Sequence, residues 1–187
     1  MKTAVYSGSF NPLHIGHLAI MKHMVEEAGY DMVYLIVSPK NPLKDGISSD
    51  SGQKRYQAAA DAIERHFGAR SCVKADNIEL TMPEPHYTIR TLDALKEREP
   101  ENEFTFIMGA DNLADIRRWR DYPRILKDYG VAVYPREGFD LGKVKNDLLT
   151  EDPTYRISIL NAPMVDISST DIREGIAAGK DMSDWLM

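Results

Sequence analysis

The sequence reads Gly8-Ser9-Phe10-Asn11-Pro12-Leu13-His14-Ile15-Gly16-His17 between a short apolar run and a helix-like segment. The apolar run, Thr3–Tyr6, predicts a first β-strand, and the residues after the motif have the apolar periodicity of a helix. A glycine-bearing turn at such a junction offers backbone N–H groups and a helix N-terminus to an anion. His14 and His17 are three residues apart, so they share one face of the first helical turn. We expect this motif to bind a polyphosphate and to begin an active site.

The composition is that of an ordinary soluble globular protein, with 43% hydrophobic and 28% charged residues. For 187 residues we expect one domain covering 1–187. The net charge of −6 argues against non-specific binding to nucleic acid or to a membrane surface, which needs basic patches. A single cysteine and a polar N-terminus without signal-peptide character make a cytoplasmic location the expectation. The sequence leaves open whether the chain forms a homo-oligomer.

Apolar runs that predict strands alternate along the chain with segments that predict helices. The predicted strands are Thr3–Tyr6, Met32–Val37, Phe104–Met108, Gly130–Tyr134 and Arg156–Leu160. The predicted helices are Ile15–Ala28, Asp50–Phe67, Thr88–Glu97, Asp121–Lys127, Leu141–Leu149 and one that begins near Ser169. This alternation is typical of an α/β fold with a mostly parallel sheet and helices on both faces. Because ligands of such sheets bind at the carboxyl ends of the strands, we expect the polar residues after the strands to converge.

A second motif near the end of the chain reads Ile167-Ser168-Ser169-Thr170-Asp171-Ile172-Arg173. A serine at a helix start is usually only an N-cap, and Ser168 alone would be read that way. Three hydroxyl residues in a row exceed what a cap needs, and Arg173 follows Ser169 by four positions, within one helical turn. Hydroxyls, free N–H groups and a guanidinium together favour a phosphate site.

The two motifs together resemble the hallmarks of the nucleotidylyltransferase superfamily. The segments between them resemble one branch of it, the bacterial nicotinate-mononucleotide adenylyltransferases. Those segments are Ser38–Lys44, Tyr87–Leu92, Met108–Leu113 with Trp119 after it, and Val133–Gly138. The resemblance covers nearly the whole chain in the expected order, and it implies a Rossmann-like nucleotidyltransferase fold.

The resemblance implies that ATP and nicotinate mononucleotide give nicotinate adenine dinucleotide and pyrophosphate. The phosphate of the mononucleotide would attack the α-phosphorus of ATP in line, without a covalent enzyme intermediate, so positioning and charge neutralisation would do the catalysis. His14 and His17 would be the catalytic residues, and His17 would stabilise the charge that builds on the α-phosphoryl group. Mg²⁺ would bridge the phosphates through ATP oxygens and water, and no residue is assigned as a metal ligand.

The resemblance also implies which residues bind the two substrates. The ATP-binding residues would be Gly8, Ser9, Phe10, Gly16, Gly109, Asp111, Ser168, Ser169, Thr170 and Arg173. The residues that bind the pyridine mononucleotide would be Lys44, Thr88, Trp119 and Arg136, with Trp119 stacked on the pyridine ring. Simpler roles stay open: Asp111 and Thr88 could be helix caps, Trp119 could cover the surface, and the two cations could be solvated surface charges.

The sequence departs from the family pattern at Arg90, where the family usually has an aspartate. Within the superfamily, adenylyl transfer to nicotinamide mononucleotide or to pantetheine phosphate are the alternatives, and Gly109, Asp111 and Trp119 argue against the second. His14-Ile15-Gly16-His17 also matches the ATP motif of class I aminoacyl-tRNA synthetases, but the chain is too short and too acidic for tRNA-reading parts. A non-catalytic nucleotide sensor is the alternative from another class, and we would expect it to lack one of the motif histidines.

Overall fold

A parallel six-stranded sheet forms the centre of the described part of the chain. The computed structural model describes residues 1–39 and 51–187. The strands are β1 (Lys2–Gly8), β2 (Met32–Val37), β3 (Val73–Asp76), β4 (Glu103–Gly109), β5 (Val131–Tyr134) and β6 (Ile157–Ile159). The helices are α1 (Ile15–Glu26), α2 (Ser51–Phe67), α3 (Ile78–Thr81), α4 (Thr88–Arg98), α5 (Ala110–Ala114), α6 (Tyr122–Arg124), α7 (Leu141–Glu151) and α8 (Ser169–Ala177).

Helices cover both faces of this sheet. Successive residues of a strand point to opposite faces, and a parallel sheet buried on both sides therefore needs near-continuous apolar strands. In β1, Val5 packs on the face covered by α4, α5 and α7, whereas Ala4 and Tyr6 pack on the face covered by α1 and α2. This confirms the predicted α/β fold with a parallel sheet and helices on both faces.

The strand order β3-β2-β1-β4-β5-β6 reverses direction between β1 and β4. At this switch point the loops after the two strands diverge to opposite sides and leave a crevice. The register pairs Gly8 with Val37 and Gly109 with Tyr134, so the strands end level with one another. The polar segments after β1, β4 and β5 consequently leave the sheet at the same edge.

The structure differs from the prediction at β3 and at the helix predicted over 121–127. β3 was not predicted because it is short and two of its four residues, Lys74 and Asp76, are charged. The helix predicted over 121–127 is instead the single turn α6 followed by a π-helical turn, Ile125–Tyr129. The N–H of Gly130 donates to the carbonyl of Ile125 at 2.8 Å, and the positive φ of 79° at Gly130 ends the turn. In the described ranges, no helix is long and apolar enough to cross a membrane.

Candidate active site

In the loop between β1 and α1, the ring of Phe10 packs directly against Gly8. Gly8 is the last residue of β1, and a Cβ there would lie 3.1 Å from Phe10 Cζ. Phe10 has a left-handed backbone with φ of 46° and a side chain that is only 5% exposed. Its ring meets the ring of His17 edge-on, with centroids 5.0 Å apart. The first motif thus places a rigid aromatic ring directly against one of its two histidines.

His14 and His17 cap the start of α1 for each other. The N–H of Gly16 donates to Nδ1 of His14 at 3.0 Å, and the N–H of His14 donates to Nδ1 of His17 at 3.1 Å. The two rings are stacked with centroids 3.7 Å apart. Because both Nδ1 atoms accept hydrogen bonds, each neutral ring carries its proton on Nε2 and can donate it to a ligand. A Cβ on Gly16 would lie 2.8 Å from His14 Cε1, so the glycine is needed for this arrangement.

Both histidines are neutral in the free protein at neutral pH. Burial, and then the nearby Arg136 guanidinium, lower the pKa of His14 to about 4, against a smaller opposing effect of Asp171. Burial, His14 and Arg136 lower the pKa of His17 to about 3. An anion that binds beside these rings would raise both pKa values, since it stabilises the protonated form.

Ser168 in the second motif is the N-cap of α8. Its Oγ accepts a hydrogen bond from the N–H of Asp171 at 3.1 Å, and the carboxylate of Asp171 accepts from the Ser168 N–H at 2.8 Å. The Ser168 hydroxyl also donates to Asp171 Oδ2 at 2.6 Å. This reciprocal pair is a capping box, so Ser168 has the cap role that a helix-start serine usually has.

Two residues of the second motif, Ser169 and Arg173, bind the backbone of the first. Ser169 Oγ donates to the carbonyl of Pro12 at 2.9 Å. Arg173 Nη1 donates to the carbonyl of Asn11 at 2.5 Å, and its Nη2 donates to Thr170 Oγ1 at 3.1 Å. The two motifs, at opposite ends of the chain, therefore form one structural unit.

Asp111 and Arg136 face each other across the ends of β4 and β5. Asp111 Oδ1 lies 3.8 Å from Arg136 Nε, and both side chains are about half exposed. The N-cap of α5 is Gly109, without a side-chain cap, so the capping role considered for Asp111 is wrong. A Cβ on Gly109 would lie 2.5 Å from Asp111 Oδ1 and 3.0 Å from Cε2 of Tyr134. Only a glycine at the end of β4 leaves room for this pair.

Thr88 is the first residue of α4, and Tyr87 is the N-cap, so the capping role considered for Thr88 is also wrong. Arg90, which replaces the family's usual aspartate, donates to the carbonyl of Pro85 at 2.6 Å. The arginine side chain thus turns back onto the loop before α4.

Trp119 is half-buried and packs against the core. Its ring meets that of Phe106 edge-on, with centroids 5.9 Å apart. The indole ring is therefore held against the core by its contact with Phe106, and part of the ring remains exposed. Lys44 lies outside the residues that the structure describes.

A cavity of about 610 Å³ opens between the two motifs and the end of β5. Its size is in the range of small-molecule sites. It brings together six of the predicted site residues, namely His14, Gly16, His17, Arg136, Ser168 and Ser169. Tyr6, Tyr134 and the 163–166 segment also line it, and none of these was a predicted site residue. The two tyrosines lie at the carboxyl ends of predicted strands, which is the signal that could have found them.

Comparisons with known proteins agree with this geometry. Residues 5–175 match the model of the family described as cytidylyltransferase-like. Two relatives, from Flavobacterium johnsoniae and Bacteroides fragilis, are each described as "Probable nicotinate-nucleotide adenylyltransferase". The first is 40% identical, with 100% of this chain and 92% of the relative covered. The second is 39% identical, with 99% and 87% covered.

Solved structures show the same fold. The nicotinic acid mononucleotide adenylyltransferase of Plasmodium falciparum, complexed with NaAD, matches with a TM-score of 0.78 and 19% identity over 100% of this chain and 91% of that one. The same enzyme complexed with APC matches with a TM-score of 0.74 and 18% identity over 99% and 90%. From the family match and the full-length relatives, the chain belongs to the cytidylyltransferase-like family and, within it, to the nicotinate-nucleotide adenylyltransferases.

Proposed function

We propose that this protein transfers the adenylyl group of ATP to nicotinate mononucleotide, in the synthesis of NAD. The products are nicotinate adenine dinucleotide and pyrophosphate. The observation that carries the proposal is the joining of the two phosphate motifs beside a cavity that holds both histidines and Arg136. The full-length relatives named for this activity support the same substrates. We take the whole chain, 1–187, as one nucleotidyltransferase domain that works in the cytoplasm.

The chemical step forms one P–O bond and breaks one. A phosphate oxygen of the mononucleotide attacks the α-phosphorus of ATP, and the bond from that phosphorus to the α–β bridging oxygen breaks. The electron pair of the broken bond leaves with pyrophosphate. The protein supplies no nucleophile, so its contribution is to orient the reactants and to stabilise the negative charge of the transition state.

His14 and His17 are the donors proposed for the phosphates. Their Nδ1 atoms are already occupied by backbone N–H groups, which leaves the Nε2–H groups free to donate. Each donor to an anionic oxygen contributes roughly 1.5–3 kcal/mol. His17 is assigned the α-phosphoryl group, and Gly8, Ser9, Phe10 and Gly16 shape the loop around it.

Arg173, Thr170 and the start of α8 are proposed for the β- and γ-phosphates, and the hydroxyls of Ser168 and Ser169 hold this segment in place through Asp171 and the Pro12 carbonyl. Arg173 and Ser169 already bind the backbone of the first motif, so a triphosphate would meet groups that are held in place before it binds. Gly109 and Asp111 are proposed for the nucleoside part of ATP. Preorganisation of this kind lowers the entropic cost of fixing a flexible ligand.

Mg²⁺ is proposed to enter as part of the ATP substrate. In the described part of the chain, no group of three or more His, Cys, Asp or Glu side chains could hold a metal ion. Mg²⁺ keeps several waters and binds readily through substrate phosphates, so it needs no protein cage here. It would neutralise charge on the phosphates and on the leaving pyrophosphate.

The pyridine mononucleotide is assigned to Thr88, Trp119, Arg136 and Lys44. The edge-on contact with Phe106 holds the indole ring of Trp119 in one orientation. A ring held in this way suits stacking on a flat pyridine. Arg136 is half-exposed beside the cavity and can meet a phosphate or a carboxylate.

The experiment that tests this function is an assay of pyrophosphate release with MgATP and either nicotinate or nicotinamide mononucleotide. We expect the dinucleotide to form with nicotinate mononucleotide. Activity with nicotinamide mononucleotide alone would show that the amide is the acceptor. His17→Ala should lower kcat by about a hundredfold to a thousandfold, the usual effect of removing one transition-state donor. His66→Ala, at an exposed position of α2, is the matched control and should keep full activity. No release with either acceptor would remove the enzymatic assignment.

A further inference from the structure

A buried arginine on α2 joins the loops that follow β1 and β2. Arg55 Nη1 donates to the carbonyl of Ser9 at 2.6 Å and to the carbonyl of Ser38 at 2.8 Å. The residue is only 8% exposed. It belongs to neither sequence motif, and the function proposed above assigns it no part.

The two loops are held side by side without Arg55. The N–H of Ser38 donates to the carbonyl of Gly8 at 2.9 Å, and the hydroxyls of Ser7 and Ser38 lie 3.0 Å apart. The arginine is therefore not needed to keep the loops together. What it adds is a fixed direction for the Ser9 carbonyl.

That direction sets the next peptide N–H. A trans peptide is planar, and its C=O and N–H bonds point in opposite directions. With the Ser9 carbonyl turned onto Arg55, the N–H of Phe10 points away from α2. Within the described residues this N–H makes no hydrogen bond, and Phe10 has the left-handed φ of 46°. The loop thus presents one free backbone donor whose orientation depends on a side chain of another element.

Burying the guanidinium of Arg55 costs free energy. Among the described residues no carboxylate lies within ion-pair distance of it, and its buried Nη2 has no hydrogen-bond partner. Burial lowers the pKa of its guanidinium, as it does for any cation removed from water. Packing alone would be served as well by an apolar side chain of similar size. A positive charge behind a phosphate loop, with no carboxylate partner in ranges 1–39 and 51–187, instead adds to the potential that attracts an anion.

We propose that Arg55 is a positioning residue, which aims the Phe10 N–H at a phosphate of ATP by holding the Ser9 carbonyl. The inference rests on the proposed function, since it names a further residue that prepares the same site. It predicts that Arg55 acts on ATP without touching it.

The test follows the backbone amide resonance of Phe10 in ¹⁵N-labelled protein during a titration with MgATP, together with the kinetics. Arg55→Met and Arg55→Lys are compared with Arg65→Met, which removes the same charge from an exposed position of α2. In the wild type and in Arg65→Met, the Phe10 resonance should shift saturably. In Arg55→Met the shift should be lost, and kcat/KM for ATP should fall about tenfold to a hundredfold, the value of one hydrogen bond to a charged group. Arg55→Lys keeps the charge and should lie between the two.

An Arg55→Met protein with the wild-type Phe10 shift and wild-type kcat/KM overturns the inference. If that variant does not fold, Arg55→Lys decides: an unchanged thermal midpoint with a reduced Phe10 shift supports the proposal, and an unchanged shift contradicts it. A wild-type protein that binds MgATP at Phe10 but forms no dinucleotide would contradict the proposed reaction and leave the role of Arg55 intact.

Discussion

Arg173 donates a hydrogen bond to the backbone carbonyl of Asn11 at 2.5 Å, although 162 positions separate the two residues in the chain. The contact ties the helix of the second motif to the loop of the first. Residues of both motifs line the same side of the cavity that contains the two histidines. A guanidinium used in this way fixes the loop of the first motif through its fork of N–H donors.

Replacement of Arg173 tests the importance of this union. Arg173→Met should lower kcat/KM for ATP about tenfold to a hundredfold, because one charge-assisted hydrogen bond and one cation beside the phosphates are lost. Steady-state kinetics with varied MgATP measure the effect. Arg70→Met, at an exposed position after α2, removes the same charge and should change nothing. Equal kinetics for the two variants would mean that the contact has no part in ATP binding.

A pH dependence of stability follows from the two histidines. The folded rings stay neutral down to a pKa of about 4 for His14 and about 3 for His17. In the unfolded chain both would titrate near pH 6.5. Between these values the unfolded chain binds more protons, so the free energy of unfolding falls as the pH falls below about 6.5. Each histidine contributes a slope of at most about 1.4 kcal/mol per pH unit.

Urea unfolding between about pH 7 and pH 5 measures this slope. The double variant His14→Asn/His17→Asn should be clearly less sensitive to pH in that window, whereas the exposed His66→Asn should keep the wild-type slope. Identical slopes in the wild type and the double variant would show that the two rings ionise normally in the folded protein.

The close approach of Gly16 to His14 predicts a large effect of a single methyl group. In Gly16→Ala the new Cβ would lie 2.8 Å from His14 Cε1, so the imidazole must move and its bond to the Gly16 N–H must break. We expect kcat to fall at least as much as when one donor is removed, about a hundredfold. The matched control is Gly142→Ala in α7, where the nearest atom is Asp140 Oδ1 at 3.6 Å. That change should leave activity intact and raise stability by up to about 1 kcal/mol.

Trp119 gives an optical test of the acceptor site. The chain has two tryptophans, so Trp185→Phe leaves Trp119 as the single strong fluorophore. Stacking of a pyridine ring should quench its emission saturably when nicotinate mononucleotide is added. Trp119→Phe should raise KM for the mononucleotide about twofold to tenfold and leave KM for ATP unchanged. A rise in KM for ATP instead would show that Trp119 belongs to the ATP site.

The sheet and the placement of both motifs could be predicted from the sequence because buried parallel strands are continuous apolar runs. Met32–Val37 was predicted with the bounds that the structure has. The edge strand β3 gives no such run, because Lys74 is exposed and Asp76 pairs with Arg98 at the margin of the sheet. The π-helical turn could not be predicted either, since its bond from Gly130 to Ile125 spans five residues instead of the four of an α-helix, and no local residue pattern marks that difference.

The meeting of His14 and His17 at one cavity could be predicted, because their spacing puts them on one helical turn. The site was not predictable where the partner is a backbone group brought in by the fold. The carbonyls of Asn11 and Ser9 meet Arg173 and Arg55 only in three dimensions, and no local pattern marks those pairs. The capping alternative for Asp111 is wrong for the same reason: Asp111 faces Arg136 across two strand ends, and Gly109 is the N-cap of α5.

The central claim is direct transfer of the adenylyl group between two bound substrates. A single-turnover reaction with α-³²P-labelled ATP, Mg²⁺ and nicotinate mononucleotide tests it most directly. We predict that the label passes from ATP to the dinucleotide with no labelled protein at any time, and that unlabelled pyrophosphate forms in equal amount. Label in AMP or on the protein, or ATP that stays intact in the presence of the mononucleotide, would contradict the account.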